Sequence, residues 1–203
     1  MGPRLLLVRH GQTLWNEAGR YQGRSDPPLS AAGTAAAVEL ARTLEPTPLG
    51  RILSSPLRRA VQTARLIGGR RRLAIETDER LAELAFGGWE GLTQAEVKEH
   101  WPELLRLYKR MPEAVCFPGG ETIAEAEQRL GSVLDALAVD APAEPVLVVT
   151  HAALIRIALL RASERPLSRM REIAVAHCRP YPLERVGGGW RVAAETPAAL
   201  PAC

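Results

Sequence analysis

Two histidines in this chain each follow directly on a short apolar segment. His10 comes after residues 5–8 and Arg9, and His151 comes after residues 146–150. Such segments predict short buried strands, and ligands of open parallel sheets bind in the crevice beyond the carboxyl ends of the strands. The sequence therefore predicts that two distant parts of the chain bring the two histidines to one crevice.

Arginines also lie next to predicted strand ends, one beside His10 and two after another strand. They indicate a phosphoryl group as the ligand. Arg9 precedes the first histidine, while Arg58 and Arg59 follow a predicted strand at residues 51–54. A guanidinium group keeps its charge and can hold two phosphoryl oxygens at once. Arg9 and Arg59 therefore suit the task of neutralising a phosphoryl group during its transfer.

A neutral imidazole beside such arginines can act as the nucleophile. Its attack on phosphorus forms a phosphohistidine that water then hydrolyses, which divides one difficult reaction into two easier steps. The alcohol that leaves needs a proton, and a carboxylic acid can supply it. We expect this acid in the loop that follows the third predicted strand.

The segments around these residues alternate between strand and helix patterns. Ser30 is a predicted N-cap, and Ser55 with Pro56 is interpreted as the N-cap and first residue of the next helix. The predicted strands are residues 4–8, 51–54, 73–76 and 146–149, and the predicted helices are residues 30–44, 55–69 and 152–160.

Two capping boxes predict further helices in the second half of the chain. Thr93 and Glu96 form the first box, and Pro102 should interrupt the helix that begins there. Thr122 and Glu125 form the second box, which precedes apolar residues at helical spacing. Both patterns predict helix starts at these threonines.

Two regions lack helical periodicity. Residues 80–91 carry glycines and aromatics and are interpreted as a functional loop, whereas residues 173–194 show β-type segments that turn at 187–189. The alternation predicts an α/β fold with a mostly parallel central sheet and helices on both faces. We interpret residues 1–203 as a single domain, in which residues 93–122 either cover the crevice or form a plain surface insertion.

The composition is that of a globular protein and indicates neither a nucleic-acid nor a membrane partner. The net charge is +3, but the basic cluster at residues 70–72 carries no interleaved aromatics. No apolar stretch approaches the roughly 20 residues of a membrane span, and the N-terminus lacks a secretory signal pattern. Cys116, Cys178 and Cys203 are far apart, which fits a reducing compartment. We therefore expect a cytoplasmic protein.

Four segments resemble, in order, the motifs of the histidine phosphatase (phosphoglycerate mutase-like) superfamily. They are LVRHGQTLWN from Leu7 with its continuation YQGRSDPPLSAAG from Tyr21, SSPLRRAVQTA from Ser54, LAELAFGGWEG from Leu81 and VVTHAALIR from Val148. The matches extend across most of the chain, up to about residue 163. PGGET at residues 118–122 resembles an element of the phosphatase branch.

The resemblance implies a role for each matching residue. His10 is the implied nucleophile, and Arg9, Arg59 and His151 form the implied phosphate pocket. Glu83 is the implied general acid, which then acts as the base. Arg59 is the family's arginine because it directly precedes the Ala-x-x-Thr segment.

Other matching positions carry less of the chemistry. Glu90 is the rival acid, although its place in the motif suggests a structural role. Asn16 and Gln22 match positions that contact the phosphoryl group or the substrate. Ala152 stands where the family usually has glycine, and alanine keeps the backbone N–H beside the phosphate while adding one methyl group.

These observations predict a phosphomonoesterase that hydrolyses small phosphorylated metabolites without a metal or cofactor. The alternatives are a cofactor-dependent phosphoglycerate mutase, which shares the catalytic residues, and a noncatalytic regulatory module that binds phosphorylated ligands. A metal site formed by His10, Glu83 and His151 is disfavoured because the adjacent arginines would repel a cation. The oligomeric state is not indicated. Three aromatics of the motifs are interpreted as packing residues, namely Trp15, Phe86 and Trp89.

Overall fold

A computed structural model of the protein describes residues 4–69 and 71–193. The strands of its central sheet are β1 (Arg4–Arg9), β2 (Arg51–Ser54), β3 (Ile75–Thr77), β4 (Val146–Thr150), β5 (Pro180–Val186) and β6 (Gly189–Val192). They lie in the order β3-β2-β4-β1-β5-β6. The pairs β1–β4, β2–β3 and β2–β4 are parallel, whereas β5 is antiparallel to both β1 and β6. The prediction of a mostly parallel sheet is confirmed.

Helices connect most of these strands. The α-helices of the described residues are α1 (Leu14–Glu17), α2 (Ala31–Thr43), α3 (Arg58–Gly68), α4 (Gln94–His100), α5 (Pro102–Arg110), α6 (Ile123–Val139) and α7 (Ala152–Ala162). Short 3₁₀ helices lie at Glu79–Leu81, Gly87–Trp89, Pro112–Ala114 and Leu167–Glu172. None of the described helices is long and apolar enough to cross a membrane.

The sheet separates two hydrophobic cores. Leu5 and Leu7 of β1 enter the core that contains α6 and α7, while Leu6 and Val8 enter the core that contains α2 and α3. This division follows from the pleat, because successive side chains of a strand point to opposite faces. Each fully buried leucine or valine stabilises the fold by about 1.5–3 kcal/mol relative to exposure. Helices thus cover both faces, as predicted.

Two helix starts agree with the predicted capping boxes. Thr93 accepts a hydrogen bond from the N–H of Glu96, and Thr122 accepts one from the N–H of Glu125, which completes both capping boxes. Pro102 ends the first of these helices and also begins the next, since it lies at the first position of α5. This position suits proline because the N–H of a first helical residue has no partner within the helix.

The predicted start of the helix after β2 is wrong. Ser55 is not an N-cap, and Pro56 is not helical, because α3 begins only at Arg58. The N–H of Ser55 donates to the carbonyl oxygen of Val149 at 2.9 Å, so this residue continues the hydrogen bonding between β2 and β4. Its hydroxyl lies 2.7 Å from Nε2 of His151. Tertiary contacts therefore replace the local cap.

Two other predicted boundaries also differ from the structure. The third strand begins at Ile75 instead of residue 73, and the predicted hairpin begins only at Pro180. Its turn contains Gly187 and Gly188, whose φ values of 56° and 89° favour glycine. The predictions for Arg70, residue 194 and Cys203 lie outside the described residues.

Residues 93–122 pack onto the core instead of lying apart from it. Leu105 and Tyr108 of α5 and Phe117 are buried in the core that contains α6 and α7. The segment also includes Cys116, which is a free thiol, as is Cys178. The segment therefore contributes side chains to this core.

Candidate active site

The parallel pairing of β1 and β4 brings the two strand-end histidines together. Arg9 lies opposite Thr150, and the N–H of His10 donates to the carbonyl oxygen of Thr150 at 3.0 Å. The residue that follows each of these two strand ends is a histidine, and the ring centroids of His10 and His151 are 5.0 Å apart. The expected meeting of the two histidines at one sheet edge is therefore present.

The ring of His10 is held in one tautomer. Its Nδ1 lies 2.7 Å from the carbonyl oxygen of Gly11, which can only accept a hydrogen bond, so Nδ1 carries the proton. Nε2 then carries the lone pair of the ring, and this lone pair accepts a hydrogen bond from Nε of Arg59 at 3.3 Å. His10 therefore presents an unprotonated nitrogen to an arginine.

Burial and positive charge keep both histidines neutral. The pKa of His10 lies well below its usual value because the ring is buried and because Arg59 and Arg9 carry positive charges nearby. The pKa of His151 is lowered for the same reasons, burial first, with Arg59 and His10 adding to it. Both rings therefore stay uncharged at neutral pH.

His151 occupies a deeper position than His10. It is fully buried, and its Nε2 lies 2.7 Å from the hydroxyl of Ser55. Its Nδ1 is buried and has no hydrogen-bond partner among the described residues. A buried polar atom without a partner costs about 1–3 kcal/mol, so this nitrogen is a marked feature of the site.

Backbone carbonyl groups hold the two predicted arginines. Arg59 is fully buried, and its two terminal nitrogens donate to the carbonyl oxygens of Gly23 at 2.8 Å and Ser25 at 2.7 Å. Arg9 donates to the carbonyl oxygen of Val175 at 2.7 Å. Neighbouring Arg58 is exposed. Of the two adjacent arginines, only Arg59 therefore contacts His10.

Arg9 remains charged despite its burial. Its pKa is lowered to about 10, chiefly by burial, while Glu83 opposes the shift and Arg156 and Arg59 add to it. Its Nε is buried without a hydrogen-bond partner among the described residues. The group is still protonated at neutral pH and has a donor to offer to an anion.

Glu90 stabilises the turn that carries the carbonyl groups around Arg59. Its carboxylate accepts hydrogen bonds from the N–H and the hydroxyl of Ser25, both at 2.8 Å, and from the N–H of Arg24 at 3.0 Å. Gly23 has a φ of 51°, and a Cβ there would lie 2.1 Å from Oε1 of Glu90. Glycine is therefore required at this turn.

Glu83 lies at the cavity wall instead. Its Oε1 accepts hydrogen bonds from the N–H of Leu84 at 3.0 Å and from the N–H of Ala153 at 3.3 Å. Ala153 belongs to the first turn of α7, whose N–H groups have no partner within the helix. This arrangement orients the carboxyl group beside the helix that follows His151.

Thr13 orients the side-chain amides of Asn16 and Gln22. The hydroxyl of Thr13 lies 3.1 Å from Oδ1 of Asn16 and 3.0 Å from Oε1 of Gln22. The N–H of Thr13 also donates to Oδ1 of Asn16 at 3.1 Å. Because Thr13 holds both oxygens, the NH₂ groups are the parts of these side chains that can donate to an anion.

These residues surround a cavity of about 230 Å³. The positions that had been predicted from the sequence and that line it are Arg9, His10, Asn16, Gln22, Arg59, Glu83 and Ala152. His151 is fully buried with its ring centroid 5.0 Å from that of His10, and it does not itself line the cavity. The cavity therefore gathers residues from both halves of the chain.

Further residues line the cavity that sequence reasoning had missed. They are Arg20, Tyr21, Gly23, Phe86, Tyr108, Ala153, Arg156 and Arg171. Phe86 had been interpreted only as a packing residue, but it both packs in the core and lines the cavity. A signal existed for Arg156, which is four residues after Ala152 and therefore on the same helix face. No local pattern distinguishes Tyr108 or Arg171.

Residues 173–178 form hydrogen bonds to two residues of the site, Arg9 and His10. The carbonyl oxygen of Val175 accepts from Arg9, and the N–H of Cys178 donates to the carbonyl oxygen of Arg9 at 3.0 Å. Nδ1 of His177 lies 2.7 Å from the carbonyl oxygen of His10. Burial and the charge of Arg9 lower the pKa of His177 to about 4. This segment lacked any motif in the sequence.

Histidine, cysteine, aspartate and glutamate side chains are the usual protein ligands of metal ions. Among residues 4–69 and 71–193, no three histidine, cysteine, aspartate or glutamate side chains are grouped so that they could hold a metal ion.

The architecture is that of a phosphoglycerate mutase-like fold, in which the strand ends of an α/β domain carry the candidate site. The chain matches the histidine phosphatase superfamily, branch 1, over residues 5–196. It therefore belongs to this family, as the motifs had indicated.

Curated relatives within this family carry several names. Phosphoserine phosphatase 1 of Hydrogenobacter thermophilus is 38% identical over 148 residues, which cover 73% of this chain and 70% of that protein. A bifunctional protein of Mycobacterium tuberculosis is 39% identical over 160 residues, but these are 77% of this chain and only 43% of that protein. A probable phosphoglycerate mutase of Yersinia pestis is 38% identical over 146 residues, covering 70% of this chain and 66% of that protein.

Solved structures agree with the fold over nearly the whole chain. YhfR of Bacillus stearothermophilus superimposes with a TM-score of 0.91 at 30% identity, covering 98% of each chain. A mycobacterial glucosyl-3-phosphoglycerate phosphatase in complex with VO3 superimposes with a TM-score of 0.87 at 31% identity, covering 95% of this chain and 98% of the other.

Proposed function

We propose that this protein hydrolyses phosphomonoesters of small metabolites through a phosphohistidine on Nε2 of His10. The observation that carries this proposal is that this nitrogen is unprotonated. The carbonyl oxygen of Gly11 holds the proton on Nδ1, and burial keeps the ring neutral. Nε2 is therefore a nucleophile at neutral pH, and Arg59 lies beside it.

In the first step, the lone pair of Nε2 attacks phosphorus, and the bond from phosphorus to the ester oxygen breaks. The electrons of that bond pass to the leaving oxygen, which takes a proton from the carboxyl group of Glu83. Arg9 and Arg59 neutralise the charge on the three remaining phosphoryl oxygens. The NH₂ groups of Asn16 and Gln22 add neutral donors.

In the second step, water attacks the phosphohistidine, and Glu83 takes a proton from that water. The bond from phosphorus to Nε2 breaks, so inorganic phosphate leaves and His10 returns to its neutral form. His151 contributes its unpaired Nδ1 as a donor to the phosphoryl group when the hydroxyl of Ser55 donates to its Nε2. No step requires a metal ion, because arginines supply the positive charge.

The geometry favours Glu83 over Glu90 as the acid. Glu83 lines the cavity and has one carboxyl oxygen without a bond to the backbone of Leu84 or Ala153. Both oxygens of Glu90 accept hydrogen bonds from the turn at residues 24–25. Glu90 therefore acts through the turn that holds Arg59.

We also propose that residues 93–122 form a fixed wall of the site. Tyr108 lines the cavity, and the same side chain is buried in the core. The similarity to named phosphatases supports hydrolysis over the mutase reaction. A mutase remains the second candidate, because a probable phosphoglycerate mutase is equally similar in sequence.

The decisive experiment traps the covalent intermediate. The protein is mixed rapidly with a phosphomonoester labelled in its phosphoryl group and quenched in alkali, because phosphohistidine is labile in acid. We expect label on His10 in the wild type and none in His10→Ala, with activity preserved in excess chelator. Label on another residue, or a rate restored only by a divalent ion, would overturn the mechanism.

A second assay separates the two candidate reactions. The protein receives 3-phosphoglycerate with a trace of 2,3-bisphosphoglycerate, and both isomer and inorganic phosphate are measured. Phosphate should form faster than 2-phosphoglycerate. Faster isomerisation than phosphate release from any monoester would identify a mutase, and binding without either reaction would identify a noncatalytic module.

A further inference from the structure

We propose that Arg129 and Glu121 are positioning residues for the general acid, because together they hold the loop that carries Glu83. This inference rests on the proposed function, in which Glu83 donates the proton to the leaving oxygen. Neither residue has a role in the chemistry described above, and neither side chain lines the cavity. Both contact the backbone of residues 80–85, hereafter the acid loop.

The acid loop has little regular structure of its own. It begins in the 3₁₀ helix Glu79–Leu81, and residues 82–86 form neither helix nor strand. Its backbone N–H and carbonyl groups therefore need partners from other parts of the chain. A general acid must lie within about 2.6–3.2 Å of the oxygen that it protonates. The position of Glu83 thus depends on the groups that hold this backbone.

Arg129 of α6 holds three carbonyl groups of the acid loop. One terminal nitrogen donates to the carbonyl oxygens of Arg80 at 2.7 Å and Ala82 at 2.6 Å, and the other donates to that of Glu83 at 3.2 Å. The remaining donors are used by the carboxylate of Glu121, at 3.0 Å from Nε and 2.6 Å from the second terminal nitrogen. All N–H groups of this guanidinium therefore have partners.

Glu121 holds the acid loop on the other side of Glu83. Its Oε1 accepts from the N–H of Ala85 at 2.9 Å, and its own N–H donates to the carbonyl oxygen of Ala85 at 3.0 Å. Glu121 belongs to the PGGET segment, residues 118–122. A Cβ at Gly120 would lie 2.3 Å from the carbonyl oxygen of Ala85, so glycine permits this close approach. The segment thereby gains a physical role beside the acid.

The ion pair between Arg129 and Glu121 differs from exposed pairs. Both side chains are only 15% exposed, and they share two parallel hydrogen bonds, which fix the planar groups relative to each other. Arg106 and Glu103 of α5 form a pair whose side chains are 67% and 78% exposed, and such pairs contribute little. Arg24 also contacts Glu121, at the longer distance of 3.4 Å. The buried pair therefore links α6 firmly to the acid loop.

The other reactive groups do not depend on this pair. Backbone carbonyl groups outside the acid loop hold His10 and Arg59. The carboxyl group of Glu83 is bound to two backbone N–H groups, one of them in the acid loop itself. Loss of Arg129 or Glu121 should therefore impair proton donation and leave the binding of the phosphoryl group intact.

The test compares leaving groups. Arg129→Gln should slow phosphorylation of His10 by about tenfold or more with alkyl phosphates, whose alkoxides need the proton. The alkyl phosphate is whichever of glycerol 3-phosphate, phosphoserine and 3-phosphoglycerate the wild type hydrolyses fastest. With nitrophenyl phosphate the first step should stay within about threefold of the wild type, and KM should change by less than about twofold for both substrates.

The measurements are single-turnover release of the alcohol and the pre-steady-state burst of nitrophenol. The burst amplitude counts the folded active sites, so that a loss of stability is not mistaken for slower chemistry. Arg129→Lys keeps the charge but lacks the planar fork, and it should restore only part of the rate with the alkyl phosphate. Glu121→Gln should show the same dependence on the leaving group.

A double variant separates positioning from general stabilisation. If Arg129 acts through Glu83, the variant that carries both Glu83→Gln and Arg129→Gln should be within about threefold of Glu83→Gln alone with the alkyl phosphate. A purely structural role of Arg129 would instead multiply the two losses. This result does not depend on the size of either single effect.

Two control variants match the contacts that are removed. Ser132 on α6 accepts a hydrogen bond from the exposed side chain of Arg80, so Ser132→Ala removes a contact between the same helix and the acid loop without touching the loop backbone. Arg106→Gln removes an exposed ion pair. Both variants should stay within about twofold of the wild type with either substrate.

The possible failures are distinguishable. Equal slowing with both kinds of substrate, multiplied losses in the double variant, or unchanged rates in Arg129→Gln overturn the inference while the phosphatase function stands. If Arg129→Gln does not fold, Arg129→Lys and Glu121→Gln decide by the same criteria. A wild type that hydrolyses only nitrophenyl phosphate overturns the role of Glu83 and the inference with it. Folded protein that releases phosphate from none of these substrates overturns the proposed function as well.

Discussion

The two ends of the cavity are built in different ways. At the inner end, backbone atoms hold each reactive group: Gly11 orients His10, Val175 holds Arg9, and Gly23 holds Arg59. At the outer end, side chains from separate elements meet, and an aromatic ring supports a guanidinium group. The inner end denotes these groups around His10, which follow β1 or begin α3, and the outer end denotes Tyr108 of α5, Arg156 of α7 and Arg171 of the 3₁₀ helix Leu167–Glu172, which line the same cavity.

This difference indicates that the inner end serves phosphoryl transfer and that the outer end serves substrate selectivity. Backbone hydrogen bonds hold the inner groups at fixed positions, which is what in-line phosphoryl transfer requires. The outer groups lie on elements whose side chains can vary without moving the sheet. We therefore expect changes at the inner end to affect every substrate equally, and changes at the outer end to affect selectivity.

The largest expected effect is at Arg59. Arg59→Gln should lower kcat/KM by about 10³-fold for every monoester, because it removes a charged donor from the transferring phosphoryl group. The loss should be the same for glycerol 3-phosphate and for nitrophenyl phosphate, because both present the same phosphoryl group. Steady-state rates of phosphate release measure both quantities.

Arg58→Gln is the matched control for that experiment. Arg58 is exposed and precedes Arg59 directly, so this variant removes the same charge outside the cavity. Its rates should remain within about twofold of the wild type, as is usual for exposed positions. Equal losses in the two variants would contradict the assignment of Arg59.

A smaller effect is expected at Glu83, and it should depend on the leaving group. Glu83→Gln should slow phosphorylation of His10 by about 10²-fold or more with alkyl phosphates, whose alkoxides need a proton. Nitrophenolate leaves with little help, so the pre-steady-state burst from nitrophenyl phosphate should be slowed less.

Glu90→Gln provides the comparison carboxyl group. Because Glu90 holds the turn at residues 24–25, this change should slow both substrates alike and lower the melting temperature. If Glu83→Gln slows the first step equally for both substrates, Glu83 is not the acid. A dependence on the leaving group in Glu90→Gln would then assign that role to Glu90.

His177 should have an effect of about tenfold on kcat, through the position of His10. Its Nδ1 donates to the carbonyl oxygen of His10, and loss of one such hydrogen bond costs about 0.5–1.5 kcal/mol. His177→Leu should therefore lower kcat with little change in KM. His177→Asn should restore most of the rate, since an amide NH₂ can donate in place of Nδ1. Failure of the asparagine variant to exceed the leucine variant would leave His177 without a positioning role.

The smallest expected effect is on stability and depends on pH. The pKa of His177 is about 4 in the folded protein and about 6.5 in an unfolded chain, so between these values the unfolded chain binds more protons. Stability therefore falls as pH drops through this range. His177→Asn removes this dependence and should lose about 1 kcal/mol less than the wild type between pH 7 and pH 5, a value reduced by solvent screening. Urea unfolding at the two pH values measures it.

The other two histidines of the inner end, His10 and His151, should also lower the free energy of unfolding as the pH falls. The pKa values of His10 and His151 are also lowered, mainly by burial, so the wild type should lose stability in acid beyond the share of His177. A stability profile without any slope between pH 7 and pH 5 would contradict the buried neutral rings.

Much of the inner end could be predicted from the sequence, because its groups are tied to local patterns. A strand is recognised from a few apolar residues, and the residue after it must lie at the sheet edge, as His10 and His151 do. Caps such as Thr93 and Thr122 depend on contacts three residues away. Ser55 shows where this reasoning fails, because hydrogen bonds to Val149 and His151 override its local preference for a cap.

The sequence by itself determined the fold class, the family and the meeting of two histidines at one sheet edge, since these follow from periodicity and from short motifs. Tertiary structure alone decided which nitrogen of His10 carries the lone pair, that His177 supports it, and that Arg156 and Arg171 share a cavity. The physical reason is the sequence separation between the residues that interact. Periodicity and caps arise from neighbours within one or two turns, whereas the partner of a long side chain depends on how distant elements pack against one another.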